Sequence, residues 1–276
     1  MFGECAAQAR AGTPTAALLE GEAGIGKTRL VQEAVSSFRA PDDVVAVGHG
    51  VALTGGELPY GTVADSLHSL VVALGVDPVR AAAREFATTL AAVCPPLGPA
   101  EATTDRVRLF GGYVATIERL AADRLVWLVI EDLHWADSSS RDLFGYLVRV
   151  AAACRLLTVI NVRTNDSDSH PSVSEFVSNL VSAPGVNRVT LGPLSANQAR
   201  EQVIELVEEL PSQATLERLV MLGQGNPFAI EQLVAAKVGE TGPCRIPSWN
   251  RCRPGSTDSI PTLGDWCRWR RWLTAT

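Results

Sequence analysis

The residues best equipped for chemistry are Gly21, Glu22, Ala23, Gly24, Ile25, Gly26, Lys27 and Thr28, a stretch reading GEAGIGKT. Their spacing is that of a phosphate-binding loop. Gly21, Gly24 and Gly26 carry no Cβ, so the backbone can turn tightly and aim successive N–H groups inward, while a following helix N-terminus adds partial positive charge. A nucleotide phosphate is the expected guest. Lys27 reaches its β and γ phosphates, and the Thr28 hydroxyl completes the shell of a Mg²⁺ ion that keeps several waters. Arg29, next in the chain, belongs to the same nucleotide-binding stretch.

A second set of candidates is Glu131 and Asp132, which close the apolar run Leu125–Ile130. In a doubly wound sheet the ligand crevice lies outside the carboxyl ends of the strands, where this pair falls. One carboxylate can hold Mg²⁺ and the other polarise the attacking water. The alternative is that the pair caps the next helix, although Asp137 is better placed for that. Arg163 ends another apolar run and would enter the same crevice to read a γ-phosphate, the alternative being an Arg in a surface loop. His49, His68, His134 and His170 show no partner spacing and receive no metal or base role.

The elements needed to position these groups are legible. Ala16–Leu19 is a buried strand entering the loop, and Leu30, Val31, Ala34, Val35 and Phe38 recur at helical spacing beyond it. Residues 1–14 read as a short lead-in. Val44–Val47 is a second strand, and the β-α-β connection implies a parallel sheet. Helices are expected from Val63 to Leu74, Pro78 to Ala92 and Thr104 to Ala121, the last despite Gly111 and Gly112. The Leu125–Ile130 run suits a central parallel strand covered on both faces. A helix opens near Ser139, and Leu156–Val162 is another buried strand. Beyond the polar loop at 164–171 come a helix at 173–180, a strand at 186–191 and helices near 196–210, 213–222 and 227–236.

The expected fold class is α/β: a P-loop NTPase parallel sheet flanked by helices, then a small, mainly helical domain. The expected division is 1–165, 166–236 and an irregular tail, 237–276. The chain has 276 residues, 46% hydrophobic and 20% charged, with a net charge of −6. The tail holds three of the six cysteines, four of the six tryptophans and a net +4, so the first 236 residues carry −10. That acidity argues against a nucleic-acid surface over the core. No apolar stretch is long enough for a membrane helix, and no cysteine spacing suggests zinc, so a cytoplasmic protein with reduced Cys94 and Cys154 is expected.

Three stretches, LLEGEAGIGKTRLVQEA at Leu18–Ala34, LVIEDLHWAD at Leu128–Asp137 and GNPFAIEQL at Gly225–Leu233, give the chain a family resemblance. It resembles the signal-transduction ATPases with numerous domains, the STAND class, and among them the large LuxR-type bacterial regulators. The resemblance covers roughly residues 15–236. It implies an AAA+-related core that binds ATP or ADP with Mg²⁺, hydrolyses slowly and works as a switch. It also implies the Mg²⁺-linked slot for Glu131, the water-activating slot for Asp132, the sensor slot for Arg163, and a nucleotide-meeting role for Pro227. Similar proteins begin with an apolar-Gly-Arg-Glu stretch, where this chain has Phe2-Gly3-Glu4 without the Arg. They also continue into helical repeats and a DNA-binding domain, so the expectation is a truncated or frame-disrupted chain with no DNA binding of its own. Two other classes stay open: an interaction fragment that meets other chains through its helical domain, and a small-molecule kinase.

Overall fold

A computed structural model describes residues 1–51, 58–101, 105–164, 171–207 and 209–238. Of the polar loop expected to separate the domains, 164–171, residues 165–170 lie outside the described residues, as does the expected tail except for Lys237 and Val238.

Five strands form one parallel sheet in the order β2-β3-β4-β1-β5: β1 Thr15–Gly21, β2 Val44–His49, β3 Val126–Glu131, β4 Leu156–Arg163 and β5 Val186–Leu191. The sheet is parallel as expected, but β1 and β2 are not neighbours, because β4 and β3 lie between them. Alternation along the strands sorts the core into two layers. Val126, Leu128 and Ile130 join one cluster with residues of α3 (Gly61–Leu74), α6 (Arg106–Leu120), α7 (Ser138–Val150) and α8 (Pro171–Val181). Leu125, Trp127 and Val129 join the other, with α1 (Phe2–Arg10) and α2 (Lys27–Phe38).

Several local expectations change. Residues 2–10 form α1, which buries Phe2, Cys5, Ala6 and Ala9, where only a lead-in was expected. The single helix expected over 78–92 is broken into α4 (Val76–Ala83), a 3-10 turn and the short α5 (Ala87–Leu90), with Arg84 at φ 49° between them. Gly112 sits within α6 where a Cβ would lie 2.8 Å from Phe86 Cβ, so close packing explains why a helix-weakening residue stands there.

The chain divides into two compact units, Met1–Gly192 and Pro193–Thr276. The boundary expected at 165 thus differs from this division. Residues 171–192 stay with the sheet because β5 pairs with β1 along its length and Arg188 forms an ion pair with Glu20, which is 3% exposed. In the second unit, α9 (Ala196–Leu206), α10 (Gln213–Gly223) and α11 (Pro227–Val238) pack around Val203, Leu219, Ile230 and Val234.

Candidate functional site

The phosphate-loop stretch lies where its sequence puts it, between buried β1 and α2. Gly24 has φ 75° and Gly26 φ 100°, backbone conformations that side chains with a Cβ rarely adopt. Ile25 is buried and anchors the loop, while Glu22, Ala23, Gly24 and Thr28 are exposed and Arg29 is half-buried. Lys27 is 8% exposed, and its Nζ donates to the carbonyls of Gly21 and Glu22, both at 2.8 Å. The ammonium is therefore held over the loop backbone.

Thr28 and Glu131, 103 residues apart, meet: Thr28 Oγ1 donates to Glu131 Oε2 at 2.7 Å. The same oxygen accepts Asn161 Nδ2 at 2.7 Å. The sheet order explains this convergence. β4 runs between β1 and β3, so a side chain near its carboxyl end reaches the groups that follow β1 and close β3. Asn161 was not among the sequence candidates. The signal was available in strand parity, since 157 and 159 face the α2 layer and 161 continues that series. An Asn inside the apolar run LLTVINV also breaks the pattern of a buried strand.

Asp132 differs from its neighbour. Its backbone is left-handed, φ 52° and ψ 46°, which ends the alternation of β3 and starts a 3-10 turn at Leu133–Trp135. Its carboxylate is 45% exposed, with Oδ1 3.8 Å from Arg163 Nε and 3.9 Å from His134 Nε2. Both separations are longer than hydrogen bonds; the first is an ion-pair distance, and the second is one only when His134 is protonated. Gly50 lies against this turn: its N–H donates to the Glu131 carbonyl at 2.9 Å, and an added Cβ would come 2.2 Å from the Asp132 carbonyl oxygen.

Asp137 is the cap the sequence suggested. Its Oδ1 accepts Ser140 N at 2.9 Å and Tyr60 N at 2.8 Å, and its Oδ2 accepts Ser140 Oγ at 2.6 Å and Gly61 N at 3.1 Å. One buried carboxylate thereby ties the starts of α3 and α7 to the turn carrying Asp132. His49, which received no role from spacing, lies opposite Glu131 in the β2–β3 register and bonds Asp65 Oδ2 through Nδ1 at 2.7 Å. That hydrogen bond, opposed by burial, raises the His49 pKa. Burial alone would raise Asp65, but the bonds from the His49 ring and backbone outweigh it and hold Asp65 below the usual range.

Pro227 belongs to the second unit. It opens α11 after Gly225 (φ 73°) and Asn226, whose Oδ1 accepts the N–H groups of Phe228 and Ala229 at 3.1 and 3.2 Å. Its carbonyl accepts Gln202 Nε2 at 3.1 Å.

The glycine loop, the buried Lys27 and the Thr28–Glu131 contact together define a P-loop NTPase. The chain belongs to the AAA ATPase domain family, which it matches over residues 3–160. It is 27% identical over 209 residues to an uncharacterized protein of Rhizobium meliloti (strain 1021), covering 69% of this chain and 19% of that protein. Among solved structures, the ORC2 protein of Aeropyrum pernix in its ADPNP–ADP complexes aligns with TM-score 0.52 and 14% identity, over 86% of this chain and 61% of that one. The STAND protein with a tetratricopeptide repeat sensor from Pyrococcus horikoshii aligns with TM-score 0.49 and 17% identity, over 80% of this chain and 27% of that one. The chain thus spans a minor part of the Rhizobium and Pyrococcus proteins. No helix among the described residues is long and apolar enough to cross a membrane.

Family membership implies a nucleotide with Mg²⁺, and the residues fit both. Left-handed glycines before a helix N-terminus suit an anion. A hydroxyl bonded to one carboxylate suits a hard cation that keeps its waters and takes other ligands from phosphate. Among the described residues there is no cluster of three or more His, Cys, Asp and Glu side chains that would make an all-protein cage.

Proposed function

We propose that this chain is the ATP-binding, slowly hydrolysing switch module of a STAND-type signalling protein, a transcriptional regulator of the large LuxR kind. The observation that carries the reading is the 2.7 Å bond from Thr28 to Glu131, which joins the end of the phosphate loop to the end of β3. In this reading Lys27 Nζ exchanges a loop carbonyl for a phosphate oxygen, and the loop N–H groups hold the same anion. Thr28 and Glu131 hold Mg²⁺, Glu131 through water. When bound, Mg²⁺ neutralises charge on the β and γ oxygens. Asp132, the exposed carboxylate of the pair, orients and deprotonates the attacking water. Arg163 senses the γ-phosphate charge beside it. Pro227 and the turn before it couple nucleotide identity to the helical unit, which also meets other protein chains.

The test is titration of N-methylanthraniloyl-ATP into the whole chain and its Lys27→Ala variant, with phosphate release measured for Asp132→Asn. Binding should weaken at least tenfold in the first, while the second should bind and fail to turn over. Equal, negligible affinity in wild type and Lys27→Ala would sink the nucleotide reading. Unchanged turnover in Asp132→Asn would remove that residue from the reaction.

A further inference from the structure

Asn161 is a side chain that packing does not account for. It lies in β4, between Ile160 and Val162, at 1% exposure, in the innermost layer of a parallel sheet. A branched apolar residue would pack better there, and a buried amide needs partners on both ends. One end has a partner. Glu131, when ionised, only accepts, so the amide nitrogen must face it, and chemistry fixes the orientation of the amide. The other end does not: Asn161 Oδ1 is buried with no hydrogen-bond partner among the described residues.

Two donors from different elements thus converge on Glu131 Oε2, the Thr28 hydroxyl from the start of α2 and the Asn161 amide from β4. Because Thr28 donates its proton to Glu131, the lone pairs of its oxygen are left for a cation. We propose that Asn161 is a positioning residue for Mg²⁺. It fixes Glu131 Oε2 through its amide nitrogen and offers its unpartnered amide oxygen to a water in the shell of the ion. The inference rests on the nucleotide-binding reading above. It assigns Asn161 to metal affinity, where a packing role would predict loss of stability alone. Changing an outer-shell partner of a metal site typically costs ten- to a hundredfold in metal affinity.

The experiment measures the affinity of the whole chain for N-methylanthraniloyl-ATP across a MgCl₂ series and in EDTA. Wild type is compared with Asn161→Leu, which keeps the branched shape and the number of heavy atoms and loses both polar ends, and with Asn161→Thr, which keeps a donor. In Asn161→Leu the affinity in EDTA should stay within about twofold of wild type, while the Mg²⁺ concentration for half-enhancement rises about tenfold. Asn161→Thr should fall between the two. If Asn161→Leu does not fold, the Asn161→Thr shift is the deciding measurement, and a wild-type Mg²⁺ midpoint there overturns the proposal. A wild-type midpoint in a folded Asn161→Leu, or equal losses in EDTA and in Mg²⁺, overturns it as well. Either result leaves nucleotide binding by the wild type standing. A wild type that binds no nucleotide in any condition refutes the underlying reading instead.

Discussion

Removing the Asp137 carboxylate should be among the most destabilising single changes in the first unit, because four donors depend on it. Asp137→Ala deletes the acceptor for Ser140 N, the N-cap bond of α7, which is worth about 1 kcal/mol in typical caps. It also strips the acceptor from the N–H groups of Tyr60 and Gly61 at the start of α3. A buried donor left unsatisfied costs about 1–3 kcal/mol. Asp137 is only 6% exposed, and Ser140 is fully buried, so water cannot simply replace the carboxylate. If water reaches one of the two α3 donors, the sum is still about 3 kcal/mol, a large part of the stability of an ordinary domain. Asp137→Asn keeps an oxygen acceptor while its amide nitrogen faces donors, so roughly half that loss is expected. The assay is urea unfolding followed by tryptophan fluorescence, since Trp127 and Trp135 both lie in the first unit and report on its sheet and on the turn. The midpoint should drop in the order wild type, Asn, Ala, with little change in slope. An Ala variant that loses less than about 1 kcal/mol would show that the four bonds are not coupled to folding in the way described.

Gly111→Ala and Gly112→Ala form a pair with opposite signs. A Cβ at Gly111 meets nothing within 4 Å and should stabilise α6 by about 1 kcal/mol, whereas at Gly112 it presses on Phe86 and should cost about 1–3 kcal/mol; thermal melts that rank the two the other way would refute the packing. His49 should titrate above the ordinary histidine range of about 6.5, and Asp65→Asn should bring its midpoint back down, both read by NMR. Since folding raises the His49 pKa, the stability the pair gives is fully present below the unfolded value and is lost as pH rises through the folded one. Both side chains are partly exposed, 59% and 43%, so the change should stay below about 1 kcal/mol.

The phosphate loop was legible because its information is local: three glycines, a lysine and a threonine at fixed offsets, with a strand before and a helix after. Val186–Leu191 was likewise legible as a strand, but its place was not. Whether β5 closes the first unit or belongs to the second depends on pairing with β1, some 170 residues earlier, and no local pattern encodes that adjacency. The Arg188–Glu20 pair helps to decide it, and neither residue signals the other in the sequence. The helix within residues 1–14 is hidden for a related reason. The α1 sequence is rich in alanine and carries only one large apolar residue besides Met1, so its buried face shows only against α2 and the sheet.

Glu131 and Asp132 show how far strand parity can go, and where a single backbone angle takes over. Parity puts Glu131, like Asn161 and Arg163, on the α2 side of the sheet, and Glu131 is indeed bonded to Thr28 at the head of α2. By the same rule Asp132 would point to the opposite layer. Its left-handed backbone re-aims the carboxylate to within 3.8 Å of Arg163. A left-handed Asp is tolerated but strained, and Gly50 makes room for it, since any Cβ there would strike the Asp132 carbonyl oxygen. The adjacent carboxylates therefore differ by placement: Glu131, 7% exposed, is held by two donors, and Asp132, half-open to solvent, lies beside the Arg163 guanidinium. A charge pair read as EDL in the sequence becomes two different functional groups because β3 ends between them.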